Sequence, residues 1–106
     1  TGDAAYLDAL ARHLPAILRD FDADLVFYLA GVDVAAGDRY GRLALSDAGV
    51  RARDALVVET VRAAGLPLVV TLAGGYAASA ERTAELHAIA FEEAAAWERR
   101  HDPGAR

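Results

Sequence analysis

Apolar residues near the start of the chain return at helical spacing: Tyr6, Leu7, Leu10, Leu14, Ile17, Leu18 and Phe21. Asp3 stands where a carboxylate can accept from the free N–H groups of a first turn. Pro15 interrupts the run, and it is expected to kink the helix or to open a second, short one. After the Asp20-Phe21-Asp22-Ala23-Asp24 connection the pattern changes. Leu25 to Ala30 has no polar alternation, as expected of a strand covered on both faces. Gly31 to Asp47 reads as a long connection, with Gly31, Gly37 and Gly41 inside it. Ser46-Asp47-Ala48-Gly49 leads into a helix whose apolar positions are Val50, Leu56, Val57, Val58 and Val61. Gly65-Leu66-Pro67 ends that helix. Leu68 to Leu72 reads as a second buried strand, and Ala73-Gly74-Gly75-Tyr76 turns out of it. A last helix is predicted from about Ser79 to Arg99, with Leu86, Ile89, Ala90, Phe91, Ala94 and Trp97 facing the core. His101 to Arg106 reads as a frayed tail.

Helix, strand, helix, strand, helix implies parallel strands joined by right-handed crossovers. Ligands of open parallel sheets bind beyond the carboxyl ends of the strands. The two connections that follow the strands fall there, and loops longer than about 12 residues in compact domains are usually functional. Two strands make a thin sheet with bare edges. The pattern therefore predicts the end of a larger three-layer α/β domain. The opening Thr1-Gly2-Asp3, without methionine, adds the expectation of a segment cut from a longer protein.

Composition narrows the chemistry. The chain has 106 residues, the size of one domain. An apolar fraction of 55% argues for a packed core rather than disorder. There are no cysteines, so disulfides and cysteine-ligated zinc are excluded. Net charge is −5, which argues against a nucleic-acid groove. No apolar run reaches the roughly 18 residues that span a bilayer, and no secretory segment opens the chain. A soluble, cytoplasmic protein is the expectation. Lysine is absent and alanine and arginine are abundant, which suits a high-GC bacterial genome.

The candidate chemistry sits at the two strand ends. Asp33 and Asp38 follow the first strand. Aspartates in turns commonly bond nearby backbone N–H groups, and a zinc site needs three or four protein ligands. His13 and His87 fall on helices and His101 in the tail, so no histidine-based metal motif is present. The alternating Asp20, Asp22 and Asp24 resemble the opening of a calcium loop. Position six would be Leu25 and position twelve Gly31, so the loop fails. Gly31, Gly37 and Gly41 do not make a dinucleotide fingerprint, and no Gly-Lys-Ser/Thr follows. Ser46 and Ser79 lack the context of a serine nucleophile. Gly74-Gly75 would allow a ligand close to the backbone, and Tyr76 taken alone reads as a packing residue.

Taken together, these segments resemble the zinc-dependent histone deacetylase family of the arginase/deacetylase superfamily. Asp24-Leu25-Val26-Phe27-Tyr28-Leu29-Ala30-Gly31-Val32-Asp33 is similar to the family's strand into its metal loop. Gly37-Asp38-Arg39-Tyr40-Gly41-Arg42-Leu43 is similar to the acidic core of that loop. Leu45-Ser46-Asp47-Ala48-Gly49-Val50 is similar to the segment after it. Gly74-Gly75-Tyr76 is similar to the catalytic tyrosine turn, and Gly2-Asp3 followed by Tyr6-Leu7 to the lead-in helix. The resemblance implies the C-terminal portion of a three-layer α/β/α parallel-sheet fold, with about two strands and three or four helices across residues 1–106. The upstream part of the domain would lie outside this chain. Ala73 replaces a glycine found in many members. Arg39 replaces a proline of other branches, which favours the bacterial, class IV-like branch.

The resemblance also implies roles. Asp38 would be one zinc ligand, and Asp33 would shape the loop or support a ligand. Gly74 and Gly75 would line the acyl-lysine channel. Tyr76 would hydrogen-bond the scissile carbonyl. The parent protein would remove an acyl group from lysine or a related small N-acyl amine, using Zn2+ whose remaining ligands lie outside this chain. Zinc would polarise the carbonyl and a bound water, and an upstream histidine would serve as general base. No direct nucleic-acid or membrane partner is implied, and oligomeric state is open. A different class of reading is a non-catalytic binding or assembly module. The chain alone is expected to be inactive.

Overall fold

The computed structural model describes residues 2–38, 43–75 and 77–101. Five elements run in the expected order: α1 (Asp3–Asp20), β1 (Val26–Leu29), α2 (Asp47–Ala63), β2 (Leu68–Thr71) and α3 (Ala80–His101). The strands pair in parallel, with Val26 opposite Leu68 and Leu29 opposite Thr71. This is a partial α/β arrangement of three helices and a two-stranded parallel sheet. No described helix is long and apolar enough to cross a membrane.

Helix α1 is continuous through Pro15 rather than starting again there. Proline removes one backbone hydrogen bond. Here α1 packs against α2, and Pro15 and Leu18 line a groove with Thr60 and Ala64. Asp3 does not cap its own helix either. Gly2 is the N-cap and makes no side-chain bond. The Asp3 carboxylate turns instead to Ser46, accepting from its amide at 2.8 Å and from its hydroxyl at 2.5 Å. Ser46 is the N-cap of α2, its Oγ accepting from the Gly49 amide at 3.0 Å. Gly65, with φ of 78°, terminates α2 as predicted, since that conformation suits glycine.

The strands are not covered on both faces. Val26 and Tyr28 are half-buried, whereas Phe27 is 60% and Leu29 66% exposed. Side chains alternate across a strand. The helices gather on the face of Tyr28, Leu68 and Val70, leaving Phe27, Leu29 and Val69 on an open face. Leu72 lies beyond the end of β2 and is exposed, and so is Phe91, which the helical pattern had assigned to the core. Trp97 is half-buried at the α2–α3 seam, donating its indole N–H to Glu59 at 2.5 Å beneath the Arg62 guanidinium. His101 continues α3 and stacks on Trp97 rather than fraying; residues 102–106 lie outside the described residues.

The main core cluster joins Val32, Ala35, Leu45, Val50, Leu86 and Ile89, with Tyr6, Val34, Leu43 and Ala77 packed around it. Three of its central members, Val32, Ala35 and Leu45, belong to the long connection after β1. That connection is therefore not a loose excursion. Its apolar residues are buried under α2 and α3 at the carboxyl end of the sheet.

Candidate active site

Past the last ladder residues the two strands stay bonded. The Ala30 amide donates to the Thr71 carbonyl at 3.1 Å, and the Val32 amide donates to the Gly74 carbonyl at 2.8 Å. The loop after β1 and the turn after β2 are thus joined backbone to backbone. The first then folds on itself. The Ala35 amide donates to the Val32 carbonyl at 3.1 Å, and the Asp38 amide to the Ala35 carbonyl at 3.2 Å. Gly37, with φ of 87°, makes the reversal that presents Asp38. On its far side the loop is pinned by Leu45, whose amide donates to the Val34 carbonyl at 2.9 Å while its carbonyl accepts from Ala36 at 2.8 Å.

The sequence-predicted residues distribute as follows. Asp38 is half-buried at the end of this loop. Asp33 is exposed, and its carboxylate lies against the backbone of both turns. A Cβ placed on Gly31 would stand 3.1 Å from one Asp33 oxygen, and one on Gly74 3.4 Å from the other. Gly75 is tighter still: a Cβ there would stand 2.3 Å from Cγ2 of buried Val32, and its φ is 156°. Asp33, Gly31, Gly74 and Gly75 are therefore brought together at one edge. Tyr76 lies outside the described residues, as do Arg39, Tyr40, Gly41 and Arg42 of the motif around Asp38. Among the described residues no cluster of three or more His, Cys, Asp or Glu side chains could hold a metal. Asp38 offers at most one oxygen donor group toward zinc, so these residues do not by themselves compose a metal site.

Behind the two turns lies a buried polar network. Arg53 and Asp54 of α2 are 4% and 0% exposed. The Arg53 guanidinium donates through Nη1 to the Gly31 carbonyl and through Nε to Asp54 Oδ1 at 2.8 Å. The Tyr28 hydroxyl donates to the same Asp54 oxygen at 2.5 Å, and the Tyr28 ring lies 5.7 Å below the guanidinium. Burial pushes the Tyr28 phenol far above its ordinary value, and its bond to Asp54 adds to that; Tyr28 is a neutral donor at any physiological pH. Burial opposes the Arg53 charge, but the Asp54 carboxylate beside it offsets that and holds the guanidinium charged. Sequence reasoning missed these three residues. Arg53 and Asp54 follow Val50 by three and four positions and precede Val57, so an Arg-Asp pair was written into the apolar stripe of α2.

The histone deacetylase domain family matches residues 1–91. The chain belongs to that family. It is 48% identical over 75 residues to an uncharacterized protein of Picosynechococcus sp., an alignment covering 71% of this chain and 25% of that protein. It is 39% identical over 77 residues to histone deacetylase 2 of Arabidopsis thaliana, covering 73% of this chain and 20% of that protein. The chain thus spans a quarter or less of the length of these relatives. Membership of the histone deacetylase family accounts for the parallel strand pair with its two turns on one edge.

Proposed function

We propose that this chain is the C-terminal segment of a zinc-dependent deacetylase domain, acting on acyl-lysine or a related N-acyl amine. The observation that carries this reading is the Val32–Gly74 backbone bond. It sets the loop that presents Asp38 beside the turn that leads into Tyr76. An amide hydrolase of this family needs a metal-binding carboxylate and an oxyanion donor at one carbonyl, and the bond ties together the two segments that would deliver them.

Asp38 would contribute one carboxylate to the metal, with the other ligands supplied by parts of the protein outside this chain. Zinc held there would supply Lewis-acid polarisation of the scissile carbonyl. The remaining roles belong to this chain. Tyr76 would donate its phenol proton in a hydrogen bond to the carbonyl oxygen as negative charge develops. Gly74 and Gly75 would let the acyl chain run along bare backbone. Asp33, against Gly31 and Gly74, would hold the relative height of the two turns. The open sheet face with Phe27, Leu29 and Val69 fits a domain whose second layer comes from elsewhere in the protein. Arg39 supports placement in the bacterial, class IV-like branch, and a cytoplasmic location suits the composition.

The test is Tyr76→Phe in the full-length protein. It removes one donor and almost no volume. Turnover of an acetyl-lysine substrate should fall by roughly two to three orders of magnitude, the usual consequence of losing an oxyanion donor. Metal content and melting temperature should be unchanged. Turnover kept within a few-fold would make Tyr76 a packing residue and favour a non-catalytic module.

A further inference from the structure

We propose that Arg53 is a positioning residue for the active-site edge: its guanidinium, braced by Asp54 and Tyr28, clamps the Gly31 carbonyl and so fixes the loop that presents Asp38. The proposal rests on the deacetylase reading for its catalytic consequence, but the clamp itself is a property of this chain.

Gly31 is the residue at which β1 gives way to the loop. The next residue, Val32, bonds the Gly74 carbonyl. Fixing the Gly31 peptide therefore fixes the junction of both turns. Arg53 reaches it from α2, whose Val50 also packs in one core cluster with Val32 of the loop. A guanidinium suits this task because its planar fork serves two acceptors at once, here a carbonyl and a carboxylate. The bracing is equally directed. Asp54 Oδ1 receives both the Arg53 Nε and the Tyr28 hydroxyl, which sets the plane of the fork.

Stability alone does not explain such a group. Desolvating a buried ion pair offsets much of its attraction, and apolar residues of similar size are often at least as stable. Asp54 Oδ2 is buried with no hydrogen-bond partner among the described residues, and Arg53 Nη2 approaches Oδ1 at 2.8 Å without hydrogen-bond geometry. The bonds that the network makes orient the guanidinium toward Gly31. A misplacement of about 1 Å at a reacting centre is enough to lower rates by two orders of magnitude, so a clamp one residue from the turn junction is a place where a buried charge would be retained.

The experiment uses full-length protein and two variants. Arg53→Lys keeps the charge but loses the fork. The triple variant Tyr28→Phe, Arg53→Met, Asp54→Leu removes the network and leaves no unpaired side-chain polar group. Amide exchange of residues 31–38 and 73–75 should accelerate by about tenfold in both, with α1 and α3 unchanged. The triple variant should melt no lower than the parent. In both, kcat on an acetyl-lysine substrate should fall about tenfold or more, with KM within about twofold. Unchanged exchange across the two turns in a folded variant overturns the clamp. Recovery of kcat together with melting temperature in the triple variant also overturns it, because Arg53 would then be only a stabilising pair. If the parent protein shows no deacetylase activity, the functional reading fails while the exchange measurement still decides the clamp.

Discussion

Asp3, at the start of α1, accepts two hydrogen bonds from Ser46, the N-cap of α2. One carboxylate therefore links two helix starts that lie far apart in the sequence. These bonds hold its pKa below the ordinary aspartate value. A group whose folded pKa is depressed stabilises fully above its unfolded pKa, and that contribution is lost as pH falls through the folded value. The melting-temperature gap between the parent and Asp3→Ala should be constant from neutral pH to about 5, then close below about 4. A gap that persists unchanged at pH 2.5 would mean that the ionised carboxylate is not what holds the junction.

Gly49 sits beneath the same carboxylate. A Cβ there would stand 2.1 Å from Asp3 Oδ1. In an Asp3→Ala background, Gly49→Ala should stabilise by up to about 1 kcal/mol, the usual difference in helix propensity. With Asp3 present, that gain should shrink or reverse, because the carboxylate must leave Ser46 to make room. A double-mutant cycle by urea denaturation measures it; additivity would remove the contact.

Gly75→Ala tests the close approach of the two turns. The new methyl would meet Cγ2 of Val32, which is buried and cannot retreat. Destabilisation of about 1 to 3 kcal/mol is expected from overpacking. Shortening Val32 to alanine in the same protein should recover part of that loss. Urea melts of the single and double variants would show it, and no recovery would place the strain elsewhere.

Residues 1–106 alone should self-associate. Phe27, Leu29, Leu72 and Phe91 are all exposed, and the sheet has two open edges. Sedimentation velocity should show concentration-dependent species, reduced by Phe27→Arg with Leu29→Glu. A concentration-independent monomer would show that this face tolerates solvent.

In the full-length protein, Asp38→Ala should lower zinc affinity and turnover together, and Asp33→Asn should be milder. On the proposed assignment, removing an anionic ligand weakens the metal site, whereas Asp33 lies against the backbone of the two turns. Metal titration and kinetics on the same preparations decide it. Full metal retention in Asp38→Ala with loss in Asp33→Asn would exchange the two roles.

Element order was legible because each element has one dominant period and clear punctuation: Ser46 opens α2, Gly65 and Pro67 close it, and all three sit where the sequence places them. Burial was less legible. An uninterrupted apolar run such as Leu25 to Ala30 does not reveal which of its covering layers this chain itself supplies, and Phe27 and Leu29 are open within it. The loop after β1 reads from sequence as a functional connection, but its part in the core does not show there, because Val32, Ala35 and Leu45 follow no regular period although they build the core beneath the site. Asp3 could not be assigned from local sequence, since its partner Ser46 is remote. Arg53 and Asp54 were overlooked for a different reason. An adjacent acid and base in an apolar stripe are mutually neutralising and can be buried together, which the apolar period alone does not show.

The Val32–Gly74 bond makes the two turns a single module for inheritance and for engineering. A turn transplanted alone from a relative would arrive with a backbone donor or acceptor at the wrong height, and with Gly75 fitted to a different side chain than Val32. Changing acyl selectivity by grafting should therefore succeed only when the segments after β1 and after β2 are exchanged as a pair, and variation between relatives at positions 32 and 75 should be correlated rather than independent.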